Sequence, residues 1–271
     1  MKSQIHFLVT VFLLLGISSF AQEGNIEFPS FDQEITLSIG NDSIAVYALI
    51  ASGKEVKTTV LLLHGIPGNE KNLDLAQELR MAGKNVIFFN YRGSWGSQGE
   101  YLYANCLKDV GHLLDYLSDT NISSKLRIDT SQFALIGHSL GGGLALIKGA
   151  NDLRIKKVIA LSPVNYGYNL MDFTNADSLP RFQEYLGSMF MLNLNPKTFI
   201  QEIINKKDYY NLLTHRELYK RKPFLIIDDF SRIEDDWPGK LNGYLEHHII
   251  ESDHSFTNKR KELIEYISNW L

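Results

Sequence analysis

Cysteine is nearly absent: among 271 residues there is one, Cys106. A single thiol excludes an internal disulfide framework. Cys106 sits in a helical pattern with Leu107, Val110, Leu113 and Leu114, where a cysteine serves as a small buried hydrophobe. Basic excess is also lacking. With 27 Lys and Arg against 31 Asp and Glu, the formal net charge is −4 and no basic stripe exists, which argues against a nucleic-acid partner. No His, Cys or carboxylate grouping has metal-ligand spacing and no dinucleotide-type glycine signature occurs, so no cofactor is expected. Internal repeats and low-complexity tracts are missing as well. The composition, 44% hydrophobic and 21% charged, suits one globular domain with a sizeable core.

The N-terminus reads as a targeting segment. Lys2 precedes Phe7 to Leu15, an almost wholly apolar stretch, and Ser19-Phe20-Ala21 supplies small residues flanking a cleavage position. The stretch is short of the roughly 20 apolar residues that span a bilayer. Residues 1–21 are therefore expected to be a signal peptide, cut before Gln22, with 22–271 secreted or periplasmic and without stable membrane insertion. Removing the leader takes away one charged residue, Lys2, and moves the net charge from −4 to −5.

The most informative run is Ala134-Leu-Ile-Gly-His-Ser-Leu-Gly-Gly-Gly143. It reads as a short apolar strand, a Gly-x-Ser-x-Gly turn centred on Ser139, and a small-residue helix start, the shape of a nucleophile elbow. Gly137 and Gly141 are needed because a Cβ at either place would crowd neighbouring backbone. The turn pushes the Ser139 hydroxyl out to where a base can reach it. The helix N-terminus aims free N–H groups at developing negative charge.

Around this run, strand and helix patterns alternate. Glu34–Ile39 and Ile44–Ile50 have period two and suggest an entry hairpin about Asn41-Asp42. Runs at Thr58–Leu63, Asn85–Phe89, Gln132–Ile136, Lys157–Leu161 and Phe224–Ile227 suit strands, several of them covered on both faces, and Tyr244–Ile250 reads as a further strand. Helical patterns cover Glu70–Ala82, Leu102–Leu117, Leu140–Ala150 and Lys259–Trp270, the last with Leu263, Ile264, Ile267 and Trp270 inward. About sixty residues without a strand, roughly 163–222, carry helical stretches at Leu179–Leu192 and Lys197–Asn205. The alternation predicts an α/β fold with a mostly parallel sheet, helices on both faces and active residues at the strands' carboxyl ends.

Three motifs fall at such ends: His64-Gly-Ile-Pro-Gly68, the Ser139 turn, and Asp253-His254-Ser-Phe256. Together they resemble the α/β-hydrolase family over essentially all of residues 22–271. Asn90-Tyr-Arg-Gly93 with Ser94-Trp-Gly-Ser97 is similar to the loop after the next strand in its prolyl-oligopeptidase-like and dienelactone-hydrolase-like branches. The resemblance implies Ser139 as nucleophile, His254 as general base, and an oxyanion hole from the backbone N–H groups of Ile66 and Leu140. His247 and His248 lie within a strand pattern and face opposite sides, so they read as ordinary strand residues. His64 and His138 sit in motifs where backbone geometry is expected to matter more than the ring.

The triad acid departs from the family pattern. The family usually places Gly-x-x-Asp after the penultimate strand, whereas Phe224–Ile227 is followed by Asp228-Asp-Phe-Ser-Arg-Ile-Glu-Asp-Asp-Trp-Pro238. The ungapped position falls near Arg232. A slightly longer loop would bring Asp235 into place as the acid, with Glu234 and Asp236 as alternatives. The 163–222 stretch stands where the family often carries a cap. Its Tyr166, Tyr168, Phe173 and Phe190 either line an acyl or aryl pocket or pack the cap onto the sheet. The expected activity is hydrolysis of small or medium carboxylic esters, with a peptidase or amidase as the enzyme alternative and a non-catalytic binding protein as the other class. The expected partner is a small-molecule ester or amide; the oligomeric state is not legible.

Overall fold

A computed structural model describes residues 27–232 and 235–271; the expected leader, residues 1–21, lies outside them. The chain opens with a hairpin, β1 (Phe31–Ile39) and β2 (Asp42–Ile50), paired antiparallel around Gly40 at φ 62°. Then follow β3 (Lys57–Leu63), α1 (Leu73–Met81), β4 (Asn85–Phe89), α2 (Tyr103–Leu117), α3 (Thr120–Lys125), β5 (Ile128–His138), α4 (Leu140–Asn151) and β6 (Ile155–Leu161). After a helical insert come β7 (Phe224–Asp229), β8 (Glu246–Ile250) and α10 (Arg260–Trp270). The strands form one eight-stranded sheet in the order β1-β2-β4-β3-β5-β6-β7-β8, parallel from β4 onward.

Period-two burial separates two cores. Leu61, Leu63, Phe133, Leu135 and Ile226 join α2, α4 and the insert on one face. Val60, Leu62, Ala134, Ile136, Leu225 and Ile227 join α1 and α10 on the other. This is why the central strands read as continuous apolar runs: both faces are covered. The apolar stripe of α10 follows the same logic, with Leu263 and Ile267 fully buried. Cys106 is buried in α2.

The insert between β6 and β7 holds α5 (Leu170–Thr174), α6 (Ser178–Gly187), α7 (Pro196–Asn205), α8 (Lys207–Tyr210) and α9 (Arg216–Tyr219). Asn195 starts α7 by accepting the Lys197 and Thr198 N–H groups, with Pro196 at the first helical position, where its missing N–H costs nothing. Backbone bonds fasten the insert to the loop after β4: Trp95 N–H to Met191 O at 3.1 Å, Asn193 N–H to Gly93 O at 2.7 Å and Tyr101 N–H to Asn193 O at 2.9 Å. Beneath them Tyr103 stands edge-on to Tyr210 and Tyr166, with centroids 4.6 and 5.4 Å away. Of the four insert aromatics singled out above, Tyr166 is buried in this packing, Phe173 rests on Tyr166 and Phe182, and Tyr168 donates to Asp236, while Phe190 is 93% exposed and does neither job.

In sequence the chain passes from β3 to β4 on one side and then crosses to β5 on the other. The crevice at the carboxyl ends of β3 and β5 is therefore the topological switch point, where open α/β sheets bind ligands. No helix among the described residues is long and apolar enough to cross a membrane.

Candidate active site

Ser139 links β5 to α4 with φ 56° and ψ −118°, a conformation that costs a non-glycine residue roughly 1–3 kcal/mol. The glycines around it make the turn possible. A Cβ on Gly137 would lie 2.0 Å from Gly141 O, and one on Gly141 would lie 2.1 Å from Leu63 O. The Ser139 N–H donates to Leu161 O at 2.8 Å, and its carbonyl accepts from Val164 N–H at 3.1 Å, so β6 and its following loop brace the elbow. Ser139 itself is 8% exposed.

The His64–Gly68 loop lies directly against this serine. A Cβ built on Gly65 would fall 2.9 Å from Ser139 Cβ and 3.5 Å from its Oγ, so only glycine allows the approach. Ile66 follows, its amide next along this loop. Leu140 is the first residue of α4, and an amide there has no acceptor within its own helix. The two expected oxyanion donors thus belong to segments that flank Ser139. The His64 ring fills the inside of the loop: Nδ1 donates to Gly65 O at 2.8 Å, the ring centroid is 4.4 Å from Tyr91, and burial pushes its pKa down to about 4.

His254 is held from two sides. Its Nδ1 donates to Asp229 Oδ2 at 2.8 Å; a carboxylate can only accept, so the other ring nitrogen, Nε2, carries the free lone pair. Its backbone carbonyl accepts from His138 Nε2 at 2.7 Å, and the two rings lie 4.8 Å apart. His138 is the residue before Ser139, so this contact fastens the His254 loop to the elbow. Burial first, then the neighbouring His254, pushes the His138 pKa down to about 4, which keeps it neutral. For both His64 and His138 the ring takes part in the site's architecture, beyond the backbone role expected from sequence.

Asp229 corrects the sequence reading. β7 runs two residues past Ile227, so the carboxylate reaches His254 from the end of the strand itself and no loop extension is needed. Asp235 instead faces Arg232 at 3.6 Å, and Asp236 pairs with Lys240 at 2.8 Å and accepts from Tyr168. Glu234 lies outside the described residues. Asp229 is fully buried. Burial raises its carboxyl, but hydrogen bonds from His254, Ser231 and Ser162 outweigh this and hold it well below the usual carboxylate range. Its N–H also donates to Ser162 Oγ at 3.0 Å. The available signal was that ligand sites of parallel sheets gather at the strands' carboxyl ends, where Asp229 lies.

Successive strand residues face opposite sides, and Asp228 accordingly meets His247 Nε2 at 2.7 Å on the other face, where burial raises its pKa. His247 is therefore the hydrogen-bond partner of a buried acid, beyond the ordinary strand role expected from sequence. His248 stacks on Tyr266 with centroids 4.7 Å apart.

A family model for the alpha/beta hydrolase fold matches residues 58–228. A proline iminopeptidase from Chitinophaga pinensis is 27% identical over 199 residues, 70% of this chain; the chain spans only 59% of that relative's length. Among solved structures, ferulic-acid-bound Est1E from Butyrivibrio proteoclasticus superposes with a TM-score of 0.66 at 14% identity, covering 87% of this chain and 97% of that one. The Pyrococcus furiosus esterase Pf2001 does so at 0.62 and 19% identity, covering 90% and 91%. A fungal esterase structure from Rhizomucor miehei gives 0.64 at 16% identity, covering 91% and 85%. These structural likenesses are likenesses of fold. Elbow, flanking loop and sheet order agree with the family match, and the chain belongs to the alpha/beta hydrolases.

Proposed function

We propose that the protein is an exported serine hydrolase that cleaves carboxylic esters, with Ser139 as nucleophile, His254 as general base and then acid, and Asp229 as the carboxylate that orients His254. The observation that carries this reading is the buried, ionised Asp229 on His254 Nδ1, in a loop bonded to His138, the residue before Ser139 on its strained elbow. That bond fixes the tautomer that leaves Nε2 able to take the serine proton. Ser139 Oγ attacks the acyl carbonyl as its proton passes to His254. The oxyanion is met by the amides of Ile66 and Leu140, each such donor worth about 3–4 kcal/mol in the transition state. The intermediate collapses, the alcohol leaves with the proton from His254, and an acyl-Ser139 ester remains. Water, deprotonated by the same histidine, then releases the acid.

The esterase structures that share the fold favour esters; the iminopeptidase relative favours an amide bond as the second reading. The binding-protein reading rested on an irregular acid loop, and Asp229 removes that support. The N-terminal apolar run supports export. Fluorophosphonate labelling with mass spectrometry tests the mechanism. A stoichiometric adduct on Ser139, lost in Ser139→Ala, is expected, together with turnover in an ester panel. A folded protein that takes no label would sink the proposal.

A further inference from the structure

Lys71 is a half-buried cation with no carboxylate partner among the described residues. It lies on the segment between β3 and α1, five residues past Ile66. Its ammonium donates to the neutral Asn90 Oδ1 and stands 5.3 Å from the Trp95 ring centre. The nearby acids are occupied: Glu70 accepts from Asn72 N–H at 2.7 Å, and Asp74 is clamped by Arg260. Burial lowers the Lys71 pKa with nothing to offset it. An ammonium has three donors, and a half-buried one held by a single neutral oxygen leaves donors for water or for an anionic ligand.

Its surroundings tie it to the site. Trp95 Nε1 donates to Pro67 O at 2.7 Å, and a Cβ on Gly68 would lie 2.8 Å from that Nε1 and 2.5 Å from His64 Nδ1. The same loop touches Ser139 through Gly65. The Trp95 N–H meanwhile bonds to Met191 O of the helical insert. Lys71 and Trp95 therefore stand where the Ser139-flanking loop meets the insert, at the rim of the crevice.

Resting on the hydrolase reading above, we infer that Lys71, seated on Trp95, is a specificity-determining residue that accepts the carboxylate of an acidic substrate, an ester whose acyl or alcohol part bears a free acid group. The indole supplies a flat apolar wall for the body of that group and the ammonium its counter-charge. The same charge repels a substrate with a free amino terminus, which sets this rim against the iminopeptidase reading.

The test compares two matched pairs: para-nitrophenyl hydrogen adipate with para-nitrophenyl hexanoate, and para-acetoxybenzoate with para-tolyl acetate. One pair places the acid on the acyl side, the other on the leaving group. The readout is the acid-to-neutral ratio of kcat/KM. Lys71→Met is expected to lower that ratio roughly tenfold in at least one pair, through KM, while Lys71→Arg restores most of it. Lys71→Gln, which keeps a donor for Asn90, serves if the methionine variant does not fold. Ratios in both pairs that stay within about twofold of the wild type would make Lys71 a strut between loops and overturn the inference. If no ester is turned over, the hydrolase reading fails separately, and benzoate and adipate titrated into protein with and without Lys71→Met still decide: equal affinities, or none, overturn the inference.

Discussion

Asp229 and Asp235 are six positions apart, yet only Asp229 touches a histidine. Replacing Asp229 by Asn would leave shape intact but remove the charge that holds the His254 tautomer. A loss in kcat of about 10³–10⁴-fold is expected in an ester assay. Asp235→Asn, on the Arg232 side of the loop, should stay within about threefold of wild type, and the opposite ranking would reinstate the loop acid. Gly137 carries a different kind of demand. The alanine Cβ would sit 2.0 Å from Gly141 O, so Gly137→Ala must displace the elbow. It should lower stability by about 1–3 kcal/mol, read by urea unfolding, and depress labelling of Ser139 in whatever fraction remains folded.

The elements were legible in proportion to how local their signals are. Apolar runs marked the central strands because burial on both faces leaves little alternative, and β4 matches its expected bounds at Asn85–Phe89. The elbow was legible because glycine spacing records backbone contacts directly. The end of β7 was not: hydrophobicity stops at Ile227, but the ladder continues through Asp228 and Asp229, whose polar side chains are satisfied by His247 and His254 from β8 and the loop beyond it. Long-range partners of this kind leave no local pattern. The same blindness hid a buried ion pair between the loop after β4 and α2. Asp109, fully buried, accepts from Arg92 Nε at 2.7 Å and from its N–H at 2.8 Å. Asp109→Ala would leave the guanidinium without its charge partner, and a loss of about 3–5 kcal/mol is expected in chemical denaturation. A change below about 1 kcal/mol would mean that the loop relaxes around Arg92 freely.

At the level of the whole molecule, the neutral buried histidines set a pH dependence. His64 and His138 have pKa values pushed from an ordinary 6.5 to about 4. Between those limits the unfolded chain binds protons that the folded chain refuses, so stability falls as pH is lowered through the window. A gap of this size corresponds to about 3 kcal/mol per histidine at its full extent. Asp229 adds a lower limb: its lowered carboxyl stabilises the fold above the ordinary value of 3.8 and ceases to do so as pH falls further. Unfolding free energy measured from pH 7 to pH 4.5 should decline steadily, and more shallowly in His138→Gln; a flat profile would contradict the burial of both rings. The terminus of β7 has one more consequence. Its last residues read Ile226-Ile-Asp-Asp229, a run nearly unchanged when displaced by one step. Such a segment cannot fix its own parity. Its phase relative to the sheet is imposed from outside, by the ladders to β6 and β8 on its two sides and by bonds at its ends, the Val158 N–H on Pro223 O and the Phe230 N–H on Ser252 O. Those neighbours decide which of two identical acids stands beneath His254.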